Sequence, residues 1–129
     1  MTAQNIMDSM KFSAQVAPVQ SDLFTPSHVL YKCKIVNNGK QYTFDYQCNP
    51  TYKAPNIEDC LYCLFSDASC VDCVTDVDDF LRELGYTDSL ESIRKGEKAF
   101  KACKHTAKAL ARVFTAEEME VLSAHFENY

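Results

Sequence analysis

A single long amphipathic helix constrains this chain most, and we predict it over residues 88–114. Its apolar positions recur at steps of three and four residues, which places them along one side of a helix with 3.6 residues per turn. These positions are Ile93, Gly96, Phe100, Cys103, Ala107, Leu110 and Phe114. A chain built around such a helix buries this stripe in its core, so the remaining elements must pack against it.

The same helix carries a second stripe, made of basic side chains. At 100° per residue, six positions fall within a narrow arc that is separate from the apolar one. We call this set the basic ribbon: Arg94, Lys98, Lys101, His105, Lys108 and Arg112. Residues 90–114 hold seven Lys and Arg against two Glu, although the whole chain has a net charge of −5. The rest of the chain is therefore strongly acidic, and the opposite charges are segregated along the sequence.

The negative charge is densest just before this helix, where residues 56–88 hold nine Asp and Glu against one basic residue, Arg82. The helix dipole favours carboxylates in first helical turns, which explains some of them. The others predict a negative surface that engages a basic groove on a nucleic-acid-handling protein, because complementary charge governs encounter and specificity. This candidate acidic surface consists of Asp67, Asp72, Asp76, Asp78, Asp79 and Glu83.

A second hypothesis assigns the function to the basic ribbon. Lys and Arg along a helix can neutralise successive phosphates, which predicts a small DNA- or RNA-binding regulator. Its contacts would come from Arg94, Lys98, Lys101, Lys108 and Arg112. Against this hypothesis, the sequence pI is about 5.1, and the field of an acidic protein repels a polyanion. A solvated face is a further explanation of the ribbon, because charged stripes are common on amphipathic helices.

Two Cys-x-x-Cys pairs raise the alternative of a zinc-stapled module, since four thiolates satisfy tetrahedral zinc. The pairs are Cys60 with Cys63 and Cys70 with Cys73. Only six residues separate them, whereas zinc ribbons use about 15 to 20. The first pair also lies in an apolar helical run, where Cys63 suits core packing. We therefore expect no metal and no other cofactor, and the odd total of seven cysteines favours reduced thiols.

The sequence carries no pattern that predicts an enzyme. His28, His105 and His125 are far apart, and none accompanies a Ser or Cys pattern typical of a nucleophile. The chain has neither a basic start followed by an apolar run nor about 18 consecutive apolar residues, so we expect no signal peptide and no membrane span. These features predict a cytoplasmic protein, while the oligomeric state stays open.

The remaining patterns predict an α+β fold, with a small three-stranded antiparallel sheet packed on one face by about four helices. Alternating apolar and polar residues predict strands over residues 10–16, 28–36 and 41–47. The Asn38-Gly39 pair between the last two predicts a tight hairpin, because both residues accept positive φ. Residues 1–9 lack periodicity and are predicted as a flexible arm or a short helix, ahead of a single domain over residues 10–129.

Capping residues predict where the other helices begin. One helix is predicted to start after Asn56 and to end near Asp67. A second is predicted to open at residues 75–78, with Val77, Phe80, Leu81 and Leu84 on its inner face, and to close at Gly85. A last helix is predicted after Thr115, where residues 115–118 match a capping box.

Several segments together resemble a family of small uncharacterised proteins carried by phages, prophages and conjugative elements of bacteria. The resemblance covers roughly residues 29–113, and its motifs are Tyr42-Thr43-Phe44-Asp45-Tyr46, Pro55, Glu58-Asp59, residues 61–69, residues 80–86, Asp88-Ser89 and Phe100-Lys101-Ala102-Cys103. It implies a non-enzymatic accessory protein of a mobile element, acting in the bacterial host cell. Such small acidic proteins often antagonise a host defence system, as anti-CRISPR proteins do. The expected partner is then a host protein or ribonucleoprotein complex.

Overall fold

The computed structural model describes residues 1–17, 29–48 and 53–129. Within these ranges the chain has an α+β fold with five helices and a three-stranded antiparallel sheet, which confirms the predicted fold class. The elements are α1 (Ala3–Ser9), β1 (Lys11–Val16), β2 (Val29–Asn37), β3 (Lys40–Cys48), α2 (Ile57–Asp72), α3 (Val77–Glu83), α4 (Leu90–Val113) and α5 (Ala116–Glu127). His28 lies outside the described residues.

The strands pair in the order β1-β2-β3, so β2 is the central strand. Asn38 and Gly39 have φ values of 54° and 74°, which confirms the predicted tight turn between β2 and β3. The register places Tyr31, Cys33 and Ile35 opposite Tyr46, Phe44 and Tyr42. Because side chains alternate along a strand, these residues share the face that contacts the helices. The other face carries exposed polar side chains, including Lys11 and Lys34.

Helix α4 is central to the helical layer and contacts α2, α3, α5 and β3. Ser89 caps its start, since the Ser89 hydroxyl accepts a 3.0 Å hydrogen bond from Ser92 N. Gly96, Leu110 and Val113 are among its buried residues. The apolar stripe predicted from the sequence is therefore its core face, and Leu110 has no exposed surface at all.

Two boundaries differ from the sequence prediction. Helix α2 continues to Asp72 instead of ending near Asp67, because the buried Ala68 extends the apolar side that contains Leu64. Residues 3–9 form a helix capped by Thr2, where a flexible arm was the alternative. Helix α1 contributes Ala3, Ile6 and Met7 to the hydrophobic core and packs against α5. Burial of these apolar side chains holds the segment in place, and seven residues are too few to show a clear period.

The capping box predicted for α5 is present and has an additional role. Thr115 Oγ1 accepts a hydrogen bond from Glu118 N at 3.1 Å, and Glu118 Oε1 accepts one from Thr115 N at 2.9 Å. Glu118 Oε1 also accepts hydrogen bonds from the side-chain amides of Asn38, at 2.8 Å, and Asn37, at 3.3 Å. A buried carboxylate thereby joins the β2–β3 turn to the start of α5.

Candidate functional site

Two residues of the candidate acidic surface hold the start of α3. Asp76 is the N-cap, and its carboxylate accepts a 2.8 Å hydrogen bond from Asp79 N. The Asp79 carboxylate accepts a 3.1 Å hydrogen bond from Thr75 N and lies 3.6 Å from the Arg82 guanidinium. Substituting Asp76 or Asp79 would therefore loosen this helix as well as change the surface charge.

Three further members, Asp72, Asp78 and Glu83, are exposed and form no ion pair with any described residue. Asp67 is also exposed, but it lies on α2, and partial desolvation raises the pKa of its carboxyl. Of the other five members, Asp72 ends α2, and the remaining four cap or form α3: Asp76, Asp78, Asp79 and Glu83.

A groove of about 470 Å³ opens between α3 and the beginning of α4. We call it the α3–α4 groove, and its lining residues are Asp76, Asp78, Leu81, Arg82, Tyr86, Thr87 and Ile93. In the connection between the two helices, Leu84 and Leu90 are 50% and 64% exposed. The placement of Leu84 on the inner face of α3 was wrong, because α3 ends at Glu83 and leaves Leu84 at its C-cap. An exposed apolar patch with a polar rim is a feature of protein interaction sites.

All six residues of the basic ribbon are exposed on α4. Across the described parts of the chain, no ion pair joins any of them to an Asp or Glu. The ion pair within α4 joins Lys95 to Glu91 at 3.4 Å, outside the ribbon. Arg112 Nη2 instead donates a 3.1 Å hydrogen bond to Gln41 O on β3. The opposite charges segregated in sequence therefore do not neutralise one another across neighbouring helices.

The two cysteine pairs do not form a zinc site in this fold. Cys60, Cys63 and Cys70 lie along one continuous helix, α2, and Cys73 is its C-cap. Cys60 and Cys70 are ten residues apart, which corresponds to roughly 15 Å along a helix axis, so the thiols cannot converge on one ion. Among the described residues, no group of three or more His, Cys, Asp or Glu is arranged to hold a metal ion.

Cys60 and Cys33 are core residues that join α2 to the sheet. Both are buried, and their thiols are close enough to influence each other's ionisation. Burial raises the pKa of the Cys33 thiol and raises that of Cys60 strongly, which disfavours the reactive thiolate. Cys63 and Cys73, in contrast, are exposed, so the expectation that Cys63 packs in the core was wrong.

Alkylation of the native protein with N-ethylmaleimide should therefore separate the cysteines by burial. We expect Cys73 to be modified orders of magnitude faster than Cys33 and Cys60, because a buried thiol reacts only when the surrounding structure opens. Mass spectrometry of peptides after timed labelling gives the rates, and labelling in urea is the control in which all the rates converge. Modification of Cys60 as fast as Cys73 in the native protein would contradict the described packing of α2.

The histidines that the structure describes lie on separate helices. The His105 ring on α4 is 6.1 Å from the Tyr42 ring, and His125 Nε2 on α5 is 3.6 Å from Glu58 Oε2. Neither forms a hydrogen bond with a Ser or Cys in the described ranges. Neither histidine is therefore hydrogen-bonded to a Ser or Cys nucleophile in the part of the chain that the structure describes.

Sequence reasoning missed the apolar part of the α3–α4 groove, because Leu81 and Ile93 matched a core pattern. One available signal was Leu90, which is apolar yet lies at the start of a helix away from the predicted core stripe. It also missed the position of β3 beside the basic ribbon, for which the local sequence contains no signal.

No helix in the described ranges is long and apolar enough to span a membrane. Comparison with the models of known protein families gives no match, and comparisons with curated proteins and with solved structures give none either. The resemblance to proteins of mobile elements accordingly stays a prediction.

Proposed function

We propose that this chain is a non-enzymatic binding protein that docks on a basic surface of a macromolecular partner through the α3–α4 groove and the carboxylates around it. The observation that supports this proposal is the juxtaposition of Leu81, Tyr86 and Ile93 with the carboxylates of Asp76 and Asp78. Leu81 is already buried in the fold, so burial of the half-exposed Tyr86 and Ile93 would supply affinity. The carboxylates would supply orientation and a fast encounter.

The charge distribution supports the same proposal. In the described residues, the cations of α4 form no ion pair with the acidic residues of α2 or α3. The candidate acidic surface therefore has a negative potential that a basic partner can complement. Exposed Leu84 and Leu90 enlarge the apolar surface next to the groove. A basic partner would meet both features at the same end of the molecule.

The partner we propose is a host protein or ribonucleoprotein that processes nucleic acid. Such complexes hold nucleic acid in positively charged channels, and a small acidic protein seated in one would exclude the nucleic acid. The resemblance to mobile-element proteins supports this role, with a bacterial defence complex in the host cytoplasm as the target. The protein would act as an inhibitor by occupying the channel.

Charge reversal of the three exposed carboxylates tests the proposal. In the variant Asp72→Lys, Asp78→Lys, Glu83→Lys, we expect partner affinity to fall at least about tenfold, because like charges then face each other across the interface. Asp76 and Asp79 stay unchanged, since they hold the start of α3. The partner is first isolated from bacterial lysate with the wild-type chain as bait, and its affinity for each variant is then measured with purified components.

The matched control reverses three exposed carboxylates elsewhere, Glu97, Glu120 and Glu127, and changes the net charge by the same amount. We expect this control to bind the purified partner as the wild type does. Equal partner affinity of the wild type and the variant Asp72→Lys, Asp78→Lys, Glu83→Lys would refute docking through the candidate acidic surface. Equal weakening of both variants would show a dependence on net charge alone, which also contradicts the proposal.

A further inference from the structure

A second cleft lies on another part of the molecule, between the edge of β3 and the C-terminal half of α4. It has a volume of about 510 Å³ and is lined by Lys40, Gln41, Tyr42, Thr43, His105 and Arg112. We call it the β3–α4 cleft. No Asp or Glu among the described residues contributes to its lining, although the whole chain has a net charge of −5. The cleft is therefore a local basic site on an acidic protein.

Lys40 and Arg112 also line a neighbouring cleft of about 420 Å³, which reaches Thr115 and Ala116 at the start of α5. The nearby Glu118 carboxylate does not oppose these cations at the surface, because it is buried and accepts hydrogen bonds from Thr115, Asn37 and Asn38. Lys40 and Arg112 therefore line both clefts. Together they form a continuous basic path around the β2–β3 turn.

The basic ribbon extends this path along α4. Lys101 and Lys108 are on the same side of the helix as His105 and Arg112, and both are exposed without an ion pair in the described structure. From Lys101 to Arg112 the helix rises by roughly 16 Å, enough to follow several successive phosphates. The hydrogen bond from Arg112 to Gln41 O holds one guanidinium at the edge of the strand.

We infer that the β3–α4 cleft and the adjoining part of the basic ribbon bind the sugar-phosphate backbone of single-stranded nucleic acid. The recessed position of this path favours a single strand over a duplex, because β3 lies beside α4 and the helix does not stand clear to enter a groove of DNA. Tyr42 is 7% exposed and offers no stacking platform, so the contacts are electrostatic and independent of base sequence.

The salt dependence of oligonucleotide binding tests this inference. The probe is a fluorescent 20-nucleotide oligo(dT), with binding followed by anisotropy between 50 and 200 mM NaCl. Four cations at the phosphates, Lys40, Lys101, Lys108 and Arg112, predict an affinity loss of about 50-fold across this range. The double variant Lys40→Gln, Arg112→Gln should bind more weakly at 50 mM and lose only about sevenfold, because two contacts are gone.

A second double variant, Lys101→Gln with Lys108→Gln, leaves the Arg112 hydrogen bond to β3 intact and should also lose about sevenfold. The matched control, Lys11→Gln with Lys34→Gln, removes two cations from the open face of the sheet. Its affinity should fall by about 50-fold between 50 and 200 mM NaCl, as in the wild type. Circular dichroism checks that each variant is folded.

Three results would overturn the inference. The first is no binding of oligo(dT) at 50 mM salt, and the second is tighter binding of a duplex of equal length. The third is a salt-dependent drop in affinity of the open-face control that is as small as that of the cleft variants. The variant Asp72→Lys, Asp78→Lys, Glu83→Lys should keep its oligonucleotide binding. Failure of the cleft inference and failure of the acidic docking proposal are thus separate outcomes.

Discussion

Replacing Glu118 with alanine is expected to lower the free energy of unfolding by about 3 kcal/mol, or the Tm by roughly 10 °C. The substitution removes the capping-box acceptor for Thr115 N and the acceptor shared by the amides of Asn37 and Asn38. Asn37 Nδ2 keeps its 3.1 Å hydrogen bond to Val113 O, but Asn37 is 5% exposed, so water cannot easily replace Glu118 as the second acceptor. Urea unfolding followed by circular dichroism measures the change.

The control is Glu117→Ala, one position earlier in the same helical turn. Glu117 is exposed and forms no hydrogen bond or ion pair with a described residue, so we expect a change within about 0.5 kcal/mol. Equal effects at Glu117 and Glu118 would mean that the result reflects the helix dipole alone. The proposed link between the hairpin and α5 would then carry no stability.

The contribution of Glu118 should also depend on pH. Burial alone would raise the pKa of Glu118, but hydrogen bonds from Thr115, Asn38 and Asn37 outweigh it, and the pKa is lowered. The ionised group therefore stabilises the fold above its unfolded-state pKa, near 4.3, and this stabilisation is lost as the pH falls through the lower folded-state pKa. We expect the difference in unfolding free energy between the wild type and Glu118→Gln to shrink as the pH falls from about 5 towards 3.

The pKa shift of Asp67 has the opposite sign, since burial raises its pKa and folding penalises its charged form. The contribution of Asp67 to the free energy of unfolding becomes more favourable as the pH falls. This contribution is the same in the wild type and in Glu118→Gln. The difference between these two proteins therefore isolates Glu118. A difference that stays constant over the acidic range would contradict the lowered pKa.

Replacing Gly96 with alanine is expected to destabilise the protein by about 2 kcal/mol, although the same change in an unobstructed helix stabilises by about 1 kcal/mol. A Cβ at this position would lie 2.6 Å from Tyr86 Cβ and 2.7 Å from Tyr86 Cγ, and would also meet Leu81 Cδ2. Tyr86 Cβ is attached directly to the backbone, so the connection between α3 and α4 must move. Thermal and urea unfolding measure the loss.

Ala102→Gly is the control for helix propensity, because Ala102 is exposed in the same helix and should lose about 1 kcal/mol. Leu81 and Tyr86 also line the α3–α4 groove, so Gly96→Ala should weaken partner binding as well as stability. A more stable Gly96→Ala protein would show that this close approach does not exist in solution.

Much of the fold could be predicted from the sequence because the relevant signals are local. The Asn38-Gly39 turn, the Ser89 cap and the Thr115 capping box each depend on residues at most three positions apart. The end of α2 could not be predicted, because Asp67, Ser69 and Cys70 have no strong preference and burial of Ala68 decides the outcome. The sequence did not decide between a helix and a flexible arm for residues 1–9 for a related reason, since the stability of α1 comes from packing against α5.

The candidate sites divide in the same way. The sequence by itself determined that α4 has an apolar side and a basic side, and that the acidic residues precede it, because a fixed helical period orders residues on one element. Only the tertiary structure decided that Glu118 meets Asn37 and Asn38 and that Lys40 lies beside Arg112. Lys40 and Arg112 are distant in the chain, and the angles at which helices and strands pack bring them together, which no local pattern encodes.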